Sequence, residues 1–101
     1  MSHPRAVLAR TEMAAHVMGE LRDNAASHRF EMDEAGEVVF ADYRRQGDLL
    51  IIDHMETPVA LRGSGAAGRL MELIVAQARG EGRAIVPICS YAAAWIARHP
   101  H

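Results

Sequence analysis

The sequence predicts an α/β (α+β) fold, built on a mainly antiparallel sheet with one parallel βαβ crossover. Three observations predict it. Residues 29–57 alternate branched or aromatic runs with tight-turn residues, the stretch after Pro58 switches to a period of 3.6, and a short apolar run, "AIVPIC", then precedes an alanine-rich segment. At 101 residues the chain has room for one hydrophobic core, so a single domain spanning 1–101 is expected, with residues 1–18 as an N-terminal extension.

Taken in order, "TEMAAHVMGELR" places Met13, Ala14, Val17, Met18 and Leu21 at helical spacing, which predicts a helix there; a strand ending at Arg22 is the alternative, because Gly19 interrupts the pattern. "RFEM" at 29–32, the turn residues "DEAG" and "EVVFADYR" at 37–44 predict two strands joined by a tight turn. The turn "RQGD" then leads into "DLLIIDHMET", whose Leu49–Ile52 run has the continuous, branched character of a buried strand. Three antiparallel strands in a meander result. Beyond Pro58, Ala67, Leu70, Met71, Ile74, Val75 and Ala78 share one stripe of a helix that Gly80 and Gly82 should stop. "AIVPIC" reads as a strand, and "SYAAAWIARH" as a helix with Ser90 as its N-cap. A strand, a Gly-rich turn, a helix and a strand form a crossover that makes the two strands parallel neighbours.

Composition excludes several function classes. Half the residues are hydrophobic and 24% are charged, the ordinary globular mix, and the net charge is −2. The arginines are scattered, without the basic footprint of a nucleic-acid binder. No apolar run is long enough for a membrane span, and "MSHPRAVLAR" lacks the apolar centre of a signal peptide, so a cytoplasmic protein is expected. The single cysteine, Cys89, agrees with a reducing compartment, and the six histidines lack metal-ligand spacing, so no metal is expected. Arg5, Arg10, Arg44 and Arg45 read as solvated charge; Trp95, Ile96 and the neighbouring alanines read as core packing.

The densest cluster of backbone freedom is "ALRGSGAAGRL". Gly63, Gly65 and Gly68 surround a helix start, where N–H groups lack intrahelical partners and the helix dipole is positive. Small residues there leave room for a phosphate or diphosphate on the backbone, with Arg62 as an added charge. A flexible strand-to-helix turn without a ligand is the alternative. The Walker loop is excluded because no Lys-Ser or Lys-Thr follows, and the dinucleotide fingerprint because no acidic residue ends the next strand.

"RGSGAA" resembles the Q/R-x-x-G-x-G/A signature of the GNAT acetyltransferases, with Arg62, Gly65 and Ala67 on its defined positions. "RFEM", "ADYR", "LLIIDHMETP", "LRGSGAAGRL" and "IVPICSYAAAWIARHP" are similar, in order and spacing, to a small stand-alone family of predicted N-acetyltransferases that shows RFE, a strand-end Tyr, HTEVP, a Gly-rich turn, VPLCP and HPEY. The resemblance covers residues 19–100. It implies a minimal GNAT fold and acetyl-CoA as co-substrate, with the diphosphate on the amides of Arg62, Gly63, Ser64, Gly65, Ala66 and Ala67 and the pantetheine arm beside the strand ending at Thr57. It also implies that residues 19–23 form an edge strand.

Acetyl transfer to an amine needs a proton acceptor for the ammonium and a donor for the departing thiolate. A period of two puts Leu50, Ile52, His54 and Glu56 on one strand face, with His54 and Glu56 side by side as candidate bases or as an exposed polar pair. Cys89 precedes a helix N-terminus, where a thiolate is stabilised; the alternative is an inert buried thiol. The resemblance places Cys89 in an active-site motif and puts Trp95 where GNAT enzymes carry the tyrosine that protonates CoA, leaving Tyr91 or Cys89 for that role. The expected function is acetyl transfer from acetyl-CoA to a small-molecule or protein amine by direct attack in a ternary complex, in a monomer or homodimer. The alternatives are an acyl-CoA-binding module without turnover and a cofactor-free interaction domain.

Overall fold

A computed structural model describes residues 20–99. Five strands, β1 (Leu21–Asn24), β2 (Arg29–Glu34), β3 (Glu37–Gln46), β4 (Leu49–Glu56) and β5 (Ala84–Pro87), form one sheet in sequence order. The first four are antiparallel, and β5 runs parallel to β4 after the crossover helix α1 (Ala66–Glu81). A second helix, α2 (Ser90–Arg98), follows β5. The mixed architecture and the meander agree with the sequence reading and are compatible with a minimal GNAT fold. The helix expected over 11–22 falls mostly outside the described residues, and Arg5 and Arg10 fall wholly outside them, but it does not reach Arg22: Leu21–Asn24 pairs with β2 as the edge strand. Among the described residues, no helix is long and apolar enough to cross a membrane.

The hairpin turns are tighter than expected. Strand β2 runs through Asp33 and Glu34, so only Ala35 and Gly36 turn the chain, with φ of 51° and 79°. Two positive φ values define a type I′ turn, whose hand matches the twist of the strands. Ala35 adopts this conformation against the steric preference of a Cβ.

One face of the sheet carries the core. Phe30, Met32, Val39, Ala41, Tyr43, Leu50 and Ile52 point toward the helices and meet Leu70, Met71, Ile74 and Ala78 of α1 and Ala92 and Trp95 of α2. Each large apolar side chain buried there contributes about 1.5–3 kcal/mol. Ala66 joins this stripe in place of Ala67, which is half-buried. The helix runs through Gly80 to Glu81 and stops at Gly82, one of the two glycines expected to end it, which at φ 70° caps it by donating to the carbonyls of Ala78 and Arg79. At the other helix the N-cap is Cys89, not Ser90, and no side chain caps it.

A β-bulge decides what the end of β4 faces. Tyr43 pairs with Ile52 and Asp42 with His54, so Asp53 is an extra residue and the alternation reverses after it. Met55, opposite Ala41, takes the core side, and His54 and Glu56 move to the solvent face. The expected face shared by Leu50, Ile52, His54 and Glu56 is therefore broken between Ile52 and His54. Arg44 fixes the bulge through two bonds of 2.8 Å to the Asp53 carboxylate, which is held below its ordinary pKa by them. Arg44 stays half exposed, as expected of solvated charge, and is in addition a bracing residue.

Arg45 departs from that expectation. Its guanidinium donates to both oxygens of Glu81 at 2.9 and 2.7 Å, to Asp23 at 2.8 Å and to the Tyr43 hydroxyl at 3.1 Å, while Tyr43 itself donates to Asp23. Edge strand, sheet centre and the end of α1 are thereby joined at one charge. Hydrogen bonding from Arg45 pulls the Glu81 carboxyl down to about 2 from an ordinary 4.5.

Two outcomes are expected. Ala35→Asn should raise the unfolding free energy by about 0.5–1 kcal/mol in urea titration, because asparagine tolerates the left-handed conformation that the turn imposes. Because the folded Glu81 has the lower pKa, its contribution is fully present above about pH 4.5 and is lost as pH falls toward 2. Glu81→Gln should lower stability at neutral pH by about 1–3 kcal/mol and flatten the stability–pH profile across that window.

Candidate functional site

The ladder between β4 and β5 stops at Ile52 and Pro87. Proline brings no N–H to a continuing ladder. The next two N–H groups, of Ile88 and Cys89, both converge on the Ile52 carbonyl at 3.0 Å, and the chain then turns away into α2. Strand β4 continues to Glu56 paired only with β3, so its other edge is open from Asp53 onward. The sheet thus splays from Asp53, several residues before Thr57, the strand end expected beside the pantetheine arm.

Into this gap opens a cleft of about 480 Å³. Its walls are Met55, Glu56 and Thr57 at the end of β4, Leu61, Arg62, Gly63 and Gly65 in the connection, Ala66 and Ala67 at the start of α1, and Tyr91 in the first turn of α2. Most of the residues singled out from the sequence are brought together here. Four are not in the lining: His54, Ser64, Gly68 and Cys89. Met55 and Leu61 were not singled out, and Met55 reaches the cleft only because of the bulge.

The connection is held by its own bonds. Pro58 leads into a 3-10 turn, Val59–Leu61, and buried Leu61 anchors it in the core. The Ser64 N–H and hydroxyl both donate to the Leu61 carbonyl, at 3.1 and 2.6 Å, and the hydroxyl accepts from the Ala66 N–H at 3.3 Å. Ser64 therefore shapes the turn, and with the Arg62 N–H donating to the Val59 carbonyl at 3.2 Å, three of the six amides expected to face a ligand, those of Arg62, Ser64 and Ala66, are consumed within the connection. Gly63 and Gly65 take φ of 81° and 90°, conformations that side chains rarely adopt. Among the described residues, no acceptor meets the N–H of Gly63, Gly65, Ala67 or Gly68. The first turn of α1 also contains no acidic residue, so its positive end is uncompensated by its own sequence.

Gly68 has a different reason to be glycine. A Cβ there would lie 3.3 Å from Trp95 Nε1 and 3.8 Å from the Tyr91 hydroxyl. The residue lets α2 approach α1, and that approach seats Tyr91 at the cleft.

Charged groups flank the cleft in two pairs. Arg62 donates from Nε to the Thr57 carbonyl at 3.3 Å, with Nη2 4.0 Å from the Glu56 carboxylate. Glu56 in turn meets His54 Nε2 at 2.9 Å, so the pair is side by side as the sequence implied. On the far side Arg69 is clamped by Glu34 at the end of β2, donating from Nε at 2.8 Å and from Nη2, and Nη2 also reaches the Ser64 carbonyl at 3.3 Å. The Arg69 hydrogen bonds hold the Glu34 carboxyl below its usual range. Nothing in the spacing of Glu34 and Arg69 reveals this contact, which is made across 35 positions. Cys89 is half-buried against the core at the head of α2.

A cleft with free backbone donors at one end, an open strand edge at the other and a carboxylate–imidazole pair at its rim can bind an extended polyanion and exchange a proton with what lies beside it. Compared with protein families, the model described as GCN5-related N-acetyl-transferase matches residues 29–101 of this chain. No curated protein matches it.

Proposed function

Because this chain belongs to the GCN5-related N-acetyl-transferase (GNAT) family, we propose that the cleft binds acetyl-CoA and transfers its acetyl group to an amine. The observation that carries this reading is the free amides of Gly63, Gly65 and Ala67 opening onto the same cleft as the unpaired edge of β4. A diphosphate fits the first and an extended, amide-containing pantetheine arm fits the second, as a strand would. Glycine at 63 and 65 and alanine at 66 and 67 leave the backbone accessible, and Arg62 stands at the entrance, 63% exposed.

When bound, acetyl-CoA supplies an acyl group activated as a thioester. The chain's own residues then have two proton tasks. Glu56, lining the cleft, accepts the proton that an attacking ammonium must lose, and His54, in contact with it, passes that proton to solvent. Tyr91 lines the cleft and is the donor assigned to the departing thiolate. Cys89 is outside the lining, which favours direct attack by the amine in a ternary complex over transfer through the thiol.

Ala67→Glu tests the cradle without straining the backbone. A carboxylate in the first turn suits the helix dipole, so the melting temperature should stay constant or rise, while acetyl-CoA affinity by calorimetry should fall about 100-fold or more through charge repulsion and occupied space. Unchanged affinity would exclude the amides as the diphosphate site. Glu56→Gln should lower kcat/KM about 10²-fold across a panel of amines, with acetyl-CoA affinity retained. Binding without turnover in the unaltered protein would instead identify an acyl-CoA-binding module.

A further inference from the structure

Arg69 is paired with the Glu34 carboxylate and, among the described residues, still keeps one guanidinium nitrogen with no acceptor beside the helix start. It sits in the second turn of α1 and leans back over the helix start, where a cation opposes the dipole and no acidic residue of the first turn offsets it. Its one carboxylate partner, Glu34, engages Nε and Nη2. Among the described residues no acceptor meets Nη1. That nitrogen lies 3.1 Å from where a Cβ on Gly65 would be, so Gly65 is glycine for a second reason beyond its φ of 90°: the guanidinium occupies the space of a side chain.

Resting on the acetyl-CoA reading above, we propose that Arg69 is a specificity-determining residue for the diphosphate of the cofactor, with Glu34 orienting it so that Nη1 donates beside the Gly65 amide. The fork geometry supports the assignment. A guanidinium that spends Nε and Nη2 on a carboxylate keeps Nη1 in the same plane with two N–H groups directed away from that carboxylate. A diphosphate resting on the Gly63 and Gly65 amides would be met by backbone donors on one side and by a fixed guanidinium on the other. Arg62, by contrast, is held toward Thr57 and Glu56, at the pantetheine end. The two arginines therefore read different parts of one ligand. The β2–β3 hairpin also enters the binding site, through Glu34, the residue just before its turn.

The test is calorimetric titration of Arg69→Gln, Arg69→Lys and, as a control of equal charge change at the far end of the same helix, Arg79→Gln, with CoA, dephospho-CoA and pantetheine. Arg69→Gln is expected to weaken CoA and dephospho-CoA about tenfold and to reduce the salt dependence of binding, while leaving pantetheine affinity unchanged. Arg69→Lys, which keeps the charge but loses the fork, should fall between, and Arg79→Gln should match the unaltered protein. Equal affinity for CoA in Arg69→Gln and the unaltered protein would overturn the proposal and leave the cofactor reading standing. A loss that vanishes with dephospho-CoA would overturn the diphosphate assignment in favour of the 3′-phosphate. Failure of the unaltered protein to bind CoA would overturn both readings. Melting temperatures, taken for each variant, separate lost binding from lost folding.

Discussion

The end of the β4–β5 ladder at Ile52 and Pro87 is the constraint from which the site follows. Parallel neighbours ordinarily pair along their common length, and here the pairing is cut short by a residue without an N–H and by the capture of two successive amides on one carbonyl. Beyond that point β4 has a free edge, β5 has become the head of α2, and the space between them is the cleft. Crossover topology sets α1 to begin at the same end, so the unsatisfied amides of its first turn open onto the gap that the broken ladder leaves.

Two further devices tune that geometry. The bulge at Asp53, braced by Arg44, exchanges the faces of β4, so that Met55 contributes apolar wall while Glu56 and His54 meet at the rim. Without the extra residue, two polar side chains would point into the core, at a cost of several kcal/mol. Gly68 plays the equivalent part for the helices: Trp95 packs where a side chain would be, and Tyr91, one turn earlier on the same helix, arrives at the cleft.

Charge is used to join elements that packing alone leaves apart. Arg45 links β1, β3 and the end of α1 at one pole of the molecule, and Arg69 links β2 to the start of α1 at the other. Single exposed ion pairs contribute little, but a fork shared among several carboxylates and a hydroxyl fixes relative position as well as energy. The short edge strand β1, of four residues, has such a network holding Asp23 in addition to its ladder to β2.

Local chemistry by itself determined the meander, the crossover and the Gly-rich helix start. The alternation at 29–57, the 3.6 period after Pro58 and the positive-φ demands at 63 and 65 are properties of neighbouring residues, and they are legible wherever the governing interaction spans only a few positions. Five motifs in order also carried the family. What only the tertiary structure decided lies where distant segments meet. The bulge at Asp53 depends on pairing with β3, the role of Gly68 on the approach of α2, and the clamp of Arg69 on a glutamate 35 residues away. Cys89 rather than Ser90 caps α2, because that terminus is fixed by the backbone bonds that the whole fold can still make there. Sequence spacing records which face a residue tends toward; the partner that meets it is set by the packing of the complete chain.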